Sequence, residues 1–244
     1  MPVEIFVARD YAALIDAQAS ARVDYAIYST TAYATAALLC SCVEPVAAPV
    51  GADGAIGIVS ILVTRDDRLP GLAEIGAHHV AIAPPDNVAG SVLPLSGLPS
   101  EGAGLAGSEP YLVHAESASA AEAMLVGGSV DAIFGWAQTD AAGDIDRSSG
   151  TLGRLEAAGL ERTSLKVVWQ SSPLRYGPHA LRSGLDAEVR RILIAFLTGV
   201  RDLHPAVYDL LDTDHGGGFV EVTAQDYVSA IGAVRHVSGE AASP

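Results

Sequence analysis

VDYAIYSTTAYATAALLC, residues 23–40, is the stretch on which the fold turns. Its first six residues, Val23 to Tyr28, are mostly apolar and β-prone, so they read as a strand. Ser29, Thr30 and Thr31 follow. Small hydroxyl residues placed directly before an alanine-rich run are helix N-caps, and residues 31–40 read as a helix. A strand that runs through a short polar turn into a helix is the repeating unit of an α/β protein.

The unit recurs outward in both directions. Upstream, Val3, Ile5 and Val7 alternate and predict a strand over 3–7. Asp10 then caps a helix with Tyr11, Leu14 and Ile15 on one face. Downstream, GADGAIG (51–57) is a turn and IVSILVT (58–64) a strongly apolar strand. A strand over 79–83 is broken by Pro84, Pro85, Asp86 and Asn87, and a helix of small residues starts near Val88. Residues 96–110 are rich in Gly, Ser and Pro and read as a surface loop. Beyond it come a strand at 111–114, a helix at 120–126 closed by Gly127 and Gly128, a strand at 130–136 and a polar helix at 150–158. Residues 165–169 and 179–182 are extended. The strongest helix covers 186–200: Asp186 caps it, and Val189, Ile192, Leu193, Phe196, Leu197 and Val200 share a face. A helix over 204–211 follows, and Thr223 with Asp226 forms a capping-box start for a last helix carrying Tyr227, Ile231 and Val234. The alternation predicts an α/β protein with largely parallel sheets.

Composition narrows the function classes. The 244 residues are 50% hydrophobic and 18% charged, enough for one large or two small domains. Twenty-nine acids face 14 bases, the formal net charge is -15, and Lys166 is the single lysine. That balance opposes binding to duplex nucleic acid or anionic membrane surfaces. No uncharged run approaches the roughly 18 to 20 apolar residues of a membrane span. The start, MPVEIFVARDYAALI, has neither the basic region nor the long apolar stretch of an export signal; a cytosolic chain or a non-native start are the alternatives. Cys40 and Cys42 stand two apart on the expected helix, where side chains point away from each other. They read as small buried residues, with a redox or soft-metal site as the alternative, and they leave the redox compartment open.

Catalytic signatures are missing: there is no G-x-S-x-G, H-E-x-x-H, P-loop or G-x-G-x-x-G after a strand. His78 and His79 enter a strand on opposite faces. Asp140, Asp144 and Asp146 lack the glycine and terminal glutamate of a calcium loop. Gly216, Gly217 and Gly218 read as a flexible connector. More suggestive are three polar helix starts: Ser29-Thr30-Thr31, Asn87 to Ser91, and Ser117-Ala118-Ser119. Helix N-termini offer unpaired N–H groups and a partial positive charge, which suit an anion or a zwitterion.

The segments VEIFVARDYAALIDA, VDYAIYSTTAYATAAL, DGAIGIVSILVTRDDRLPGLAEI, VAIAPPDNVAGSVLP, AEAMLVGGSVDAIFG and LKVVWQSSPLRYGPHALR carry D-Y-x-x-L-I, V-D-x-x-x-Y and V-W-x-S-x-P signatures. In this order and spacing the chain, to about Val234, resembles the phosphate/phosphite/phosphonate substrate-binding proteins of ABC importers. The resemblance implies a two-lobed type II periplasmic-binding-protein fold with a hinge of two crossovers, near Thr64 and Ser172. Lobe one would be 1–64 plus 174–244 and lobe two 65–173, with a small ligand in the cleft and hinge closure trapping it. It further implies a non-catalytic solute carrier with no cofactor or metal, a periplasmic location and an importer permease as partner.

Two departures from the family stand out. The family's first strand and helix have no counterpart before VEIFVA, so a second chain completing the shortened lobe, as a dimer, is one expectation. The anion-gripping positions are also changed. Tyr28 matches a ligand tyrosine, but the aromatic after the D-G-x-x-G turn is Ile58, and the Ser-Thr-Ser cradle is Asn87-Val88-Ala89, keeping Gly90. The family's histidine falls on Ala118, and its two amine-recognising acids fall near Gln138 and Gly177. The implied ligand set is Tyr28, Ser29, Thr30, Asn87, Ser117, Trp136, Gln138, Arg175, Tyr176 and His179. Arg175 suits a bidentate contact to an oxyanion, and Trp136 and Tyr176 suit stacking on a planar group. Two alternatives stand beside the carrier: an enzyme on the same fold, with His179 and Asp86 as its candidate acid or base, and a sensor or interaction protein without a ligand.

Overall fold

A computed structural model describes residues 4–98 and 105–239. Among them the chain splits into two compact units. Unit 1 comprises Met1–Gly57 and Leu174–Arg235, and unit 2 comprises Ile58–Pro173 with the tail from His236. The first passage between them falls at Gly57/Ile58, seven residues before the expected Thr64; the second falls at Pro173/Leu174.

Unit 1 holds α1 (Tyr11–Ala19), β1 (Tyr25–Ile27), α2 (Thr30–Cys40) and β2 (Val43–Gly51). Its sheet has the order β1-β9-β2-β10, where β9 is His179–Arg182 and β10 is Gly216–Glu221. The pairings β1–β9, β9–β2 and β2–β10 are all antiparallel, against the parallel expectation. The reason is the chain's path: β9 enters from the return passage at Leu174 and runs opposite to both β1 and β2. Helices α6 (Ala187–Leu203) and α7 (Pro205–Leu211) lie between β9 and β10 in sequence, and α8 (Val228–Ser238) follows β10. Leu197 and Val200 of α6 pack with Val46, Leu181, Tyr208 and Phe219. Asp186 caps α6 by accepting from Glu188 N and Val189 N, as its position predicts. The Thr223–Asp226 capping box forms as well.

Three local readings are corrected in this unit. Residues 4–8 form no strand, and Ile5 and Val7 stand exposed; alternation makes a strand only when a partner takes up its backbone groups. Gly216–Gly218 is not a loose connector but the start of β10. A Cβ on Gly217 would collide with the carbonyl oxygens of Val50 and Gly51, so the strand fits there only as glycine. Cys40 and Cys42 are disulfide-bonded. They do not share a helix: α2 ends at Cys40, and Ser41 takes a left-handed conformation (φ 48°) that turns Cys42 back.

Unit 2 holds β3 (Gly57–Arg65), which begins at the last residue of unit 1, then β4 (Val80–Ile82), a π-turn (Val88–Val92) running into α3 (Leu93–Gly97), and β5 (Leu112–His114). These are followed by α4 (Ala118–Gly127), β6 (Ala132–Thr139), α5 (Gly150–Ala157) and β7 (Leu165–Gln170). The sheet order is β5-β4-β6-β3-β7; β4 pairs parallel with β5 and β6, and β3 pairs antiparallel with β7. The parallel expectation holds for β4, β5 and β6, which are separated in sequence by helical segments, and fails for β3 and β7. Aliphatic side chains fill both faces: Val59, Ile61, Val63, Ile133, Leu152 and Leu155 on one, Leu62, Val80, Ile82, Phe134 and Trp169 on the other. Residues 99–104 of the expected surface loop lie outside the described residues. The short strand β8 (Leu174–Arg175) opens the return into unit 1 and pairs with β3.

Candidate functional site

In unit 2 the topology itself gathers the candidates. Parallel neighbours end on the same edge of a sheet, and β5, β4 and β6 are such a set. Asn87 follows β4, Ser117 follows β5, and Trp136 and Gln138 sit at the end of β6. Asn87 caps the π-turn by accepting from Gly90 N at 2.7 Å. Ser117 caps α4 by accepting from Ala120 N at 3.0 Å and bonds Ser119 Oγ at 3.1 Å. Trp136 N donates to Thr151 Oγ1 and Gln138 N to Ser149 Oγ, which ties this end of β6 to the start of α5. The Arg154 guanidinium lies 5.4 Å from the centre of the Trp136 ring and is itself held by Glu122. All four candidates are partly exposed.

In unit 1 the candidates meet around β8. Ser29 caps α2 by accepting from Ala32 N. Thr30 Oγ1 donates to Arg175 O at 2.6 Å, so the start of α2 is latched to β8. Tyr28 N donates to Pro178 O, and a Cβ on Gly177 would collide with Tyr28 O, so the close approach of these two segments requires a glycine there. Tyr176 N donates to Ile56 O, and Tyr176 O accepts from Tyr227 Oη at 2.8 Å. Arg175 pairs through Nε with Asp226 at 3.1 Å. Its Nη1 is buried and has no hydrogen-bond partner, one of three such side-chain atoms among the described residues, with Gln18 Nε2 and Trp169 Nε1. A guanidinium N–H buried without an acceptor is costly unless something supplies one.

Tyr28 and His179 are placed differently from the other eight: both lie in the core of unit 1, each 2% exposed. The Tyr28 hydroxyl faces Gln18 Oε1 at 3.5 Å, and burial pushes its pKa up to about 12. His179 bonds Tyr25 Oη through Nδ1 at 2.5 Å and packs edge-on against Phe219. Burial pushes its pKa down to about 4, with the charge of Asp212 opposing, so the ring is a neutral core group. Neither side chain is offered to a ligand. Asp86, the other acid–base candidate, is exposed. The sequence reading missed a cluster after α7, where Asp212 holds Tyr208 and His215. Its sole linear trace is the D-T-D-H run at 212–215.

Comparison with known proteins places this arrangement. The profile of the family described as "ABC transporter, phosphonate, periplasmic substrate-binding protein" matches residues 1–227. The phosphate-import protein PhnD of Mycolicibacterium smegmatis is 27% identical over 191 residues, 77% of this chain. The match spans 58% of that relative's length. XAC2383 from Xanthomonas citri, in a structure bound to ATP, superposes with a TM-score of 0.61 at 16% identity, covering 97% of this chain and 86% of that one. Transferrin 1 from Manduca sexta superposes with a TM-score of 0.61 at 10% identity, covering 96% and 41%. These two share the fold. With the family profile matched over nearly its whole length, the chain belongs to the phosphonate-type periplasmic substrate-binding proteins of ABC transporters.

Proposed function

We propose that this chain binds a small oxyanion of the phosphate or phosphonate class and delivers it to an importer permease, without chemical change. The observation that carries the reading is the Arg175 guanidinium: one edge is fixed by Asp226, and a buried Nη1 lacks an acceptor. A ligand oxygen is the missing acceptor, and a charge-assisted bond of this kind is worth about twice a neutral one. Unit 1 contributes Ser29, Thr30, Arg175 and Tyr176 to the proposed set. In unit 2, taken by itself, Asn87, Ser117, Trp136 and Gln138 stand at strand ends, where helix starts favour negative charge. Tyr28 and His179 are left out because the core of unit 1 encloses them. The proposed location is periplasmic, and the Cys40–Cys42 bond fits an oxidising compartment.

Titration calorimetry with inorganic phosphate, phosphite and methylphosphonate tests the reading. Arg175→Ala is expected to weaken the bound anion at least tenfold with the melting temperature unchanged. Unaltered affinity would remove Arg175 from the site. No heat from any of the three anions with the wild-type protein would overturn the reading.

A further inference from the structure

The loop after α7 builds a second polar device in unit 1, around the carboxylate of Asp212. Asp212 follows α7 directly, and its side chain is 5% exposed. It accepts from Tyr208 Oη at 2.7 Å and from His215 Nδ1 at 2.8 Å. It also accepts from the backbone N–H groups of Asp214, His215 and Gly216 at 3.3 to 3.4 Å. Burial pushes its pKa up, but the Tyr208 and His215 hydrogen bonds, the Asp214 N–H and the charge of His215 outweigh that and hold it at about 2. An ionised carboxylate only accepts, so whenever the imidazole carries a single proton that proton sits on Nδ1 and Nε2 is left as an acceptor.

The rest of the ring is fixed from two further sides. Ala52 N donates to His215 O at 2.7 Å, anchoring the loop to the β2–β3 turn. The Tyr176 ring packs against the imidazole with centroids 4.3 Å apart. Nε2 has no hydrogen-bond partner among the described residues, and the side chain is 25% exposed. The imidazole therefore stands against Tyr176, which follows Arg175 in the chain.

We propose that His215 is a ligand-contacting residue whose Nε2 accepts the hydroxyl proton of a protonated oxyanion, so that a ligand keeping a P–OH is chosen over a fully ionised one such as sulfate. The inference rests on the oxyanion-binding reading above. Phosphate retains one hydroxyl at mildly alkaline pH, whereas sulfate retains none. Facing sulfate, Nε2 meets only lone pairs and gains no hydrogen bond, whereas a P–OH supplies the donor, and a site built to bond a hydroxyl disfavours the ligand that lacks it. Asp212 is the positioning residue: it touches no ligand and acts by fixing which ring nitrogen bears the proton.

The test is calorimetry at pH 8, where phosphate keeps one hydroxyl, with inorganic phosphate and with sulfate, on wild type and His215→Phe. Phenylalanine keeps the packing on Tyr176 and removes both nitrogens. The wild type is expected to bind phosphate at least tenfold more tightly than sulfate. His215→Phe is expected to bring the ratio within threefold through loss of phosphate affinity alone. A second reading needs no variant: on adding phosphate to wild type, the 15N resonance of His215 Nε2 shifts while Nδ1 stays protonated. A wild-type ratio near one, a variant that keeps the ratio, or a variant that loses both anions equally overturns the role of His215. Those results leave phosphate binding standing. If wild type binds neither anion nor the phosphonate and phosphite of the earlier panel, the functional reading falls and this inference with it.

Discussion

The interiors of the two units are built from different materials. Unit 2 is packed with Val, Ile and Leu around Phe134 and Trp169, and β3, β4 and β6 are buried on both faces. Unit 1 buries Tyr28, Tyr33, Tyr208, Tyr227, Gln18 and His179. An aliphatic core asks only for shape, whereas each buried hydroxyl or ring nitrogen also asks for a partner in one direction. Unit 1 meets that demand with bonds that reach its candidate residues: Tyr227 Oη holds Tyr176 O, and the Tyr33 ring packs edge-on against Tyr227 at 4.8 Å. Its polar core thus works as a scaffold for Arg175, Tyr176 and His215. Unit 2 places its candidates by strand ends and helix caps, and its core needs no polar group to do so.

The largest effect should come from cutting the aliphatic core. Ile133 is fully buried among Val59, Ile61, Leu125 and Leu152. Ile133→Ala should cost about 2–5 kcal/mol, the transfer term plus the cavity left behind. The sequence supplies the reporter: both tryptophans, Trp136 and Trp169, belong to unit 2. Denaturant unfolding followed by tryptophan fluorescence should show the whole loss. A shift below about 1 kcal/mol would mean that this core collapses around the deletion, and the contrast in packing would weaken.

A pH effect should come next, and from unit 1. Burial disfavours the charged form of His179 and pushes its pKa from the ordinary 6.5 down to about 4 in the folded chain. The unfolded chain therefore binds a proton first. The contribution is fully present above about pH 6.5, declines as pH falls, and is gone at about pH 4, for a total of about 3 kcal/mol. Seven of the eight tyrosines lie in unit 1, so near-ultraviolet tyrosine dichroism follows it. His179→Gln should flatten the decline across this window. An unchanged slope in the variant would assign it to another group. Asp212, with its pKa near 2, titrates below the window.

How much of this was legible in the sequence follows the same division. Periodicity and caps are local, so the strand–helix units, the Asp186 cap and the Thr223–Asp226 box could be read directly. Strand β2 could not. Pro45 and Pro49 argue against a strand, yet β2 lies inside the sheet between β9 and β10, with the register shifting between Pro45 and Ala47. Tertiary pairing overrode a local signal there, as it did for the glycines of β10. The site divides likewise. Ser29, Asn87 and Ser117 are caps and announce themselves, whereas Asp212 and His215 gain meaning only when Tyr176, 36 residues before Asp212 in the chain, is brought against the ring. The choice between a buried and a presented Tyr28 likewise depends on Gln18 and the α1–α2 packing, which no motif encodes.

The smallest effect should come from the disulfide, and it sharpens the comparison because both cysteines lie in unit 1. A cross-link stabilises chiefly by restricting the unfolded chain, and its worth grows with the loop it closes. Cys40 and Cys42 enclose one residue, so that loop is as short as a bridge of this kind allows. Extended to so short a loop, the chain-entropy relation gives about 1–2 kcal/mol. Ser41 sits in the left-handed region, where a residue with a Cβ is disfavoured, and reduction frees it to leave, which offsets part of the loss. Under reductant, with two thiols counted by mass spectrometry after alkylation, the tyrosine-detected midpoint of unit 1 should fall by that amount or less. The tryptophan-detected midpoint of unit 2 should stay where it was. A fall in both would show that the two interiors do not unfold separately, and the contrast drawn between them would then describe composition without describing stability.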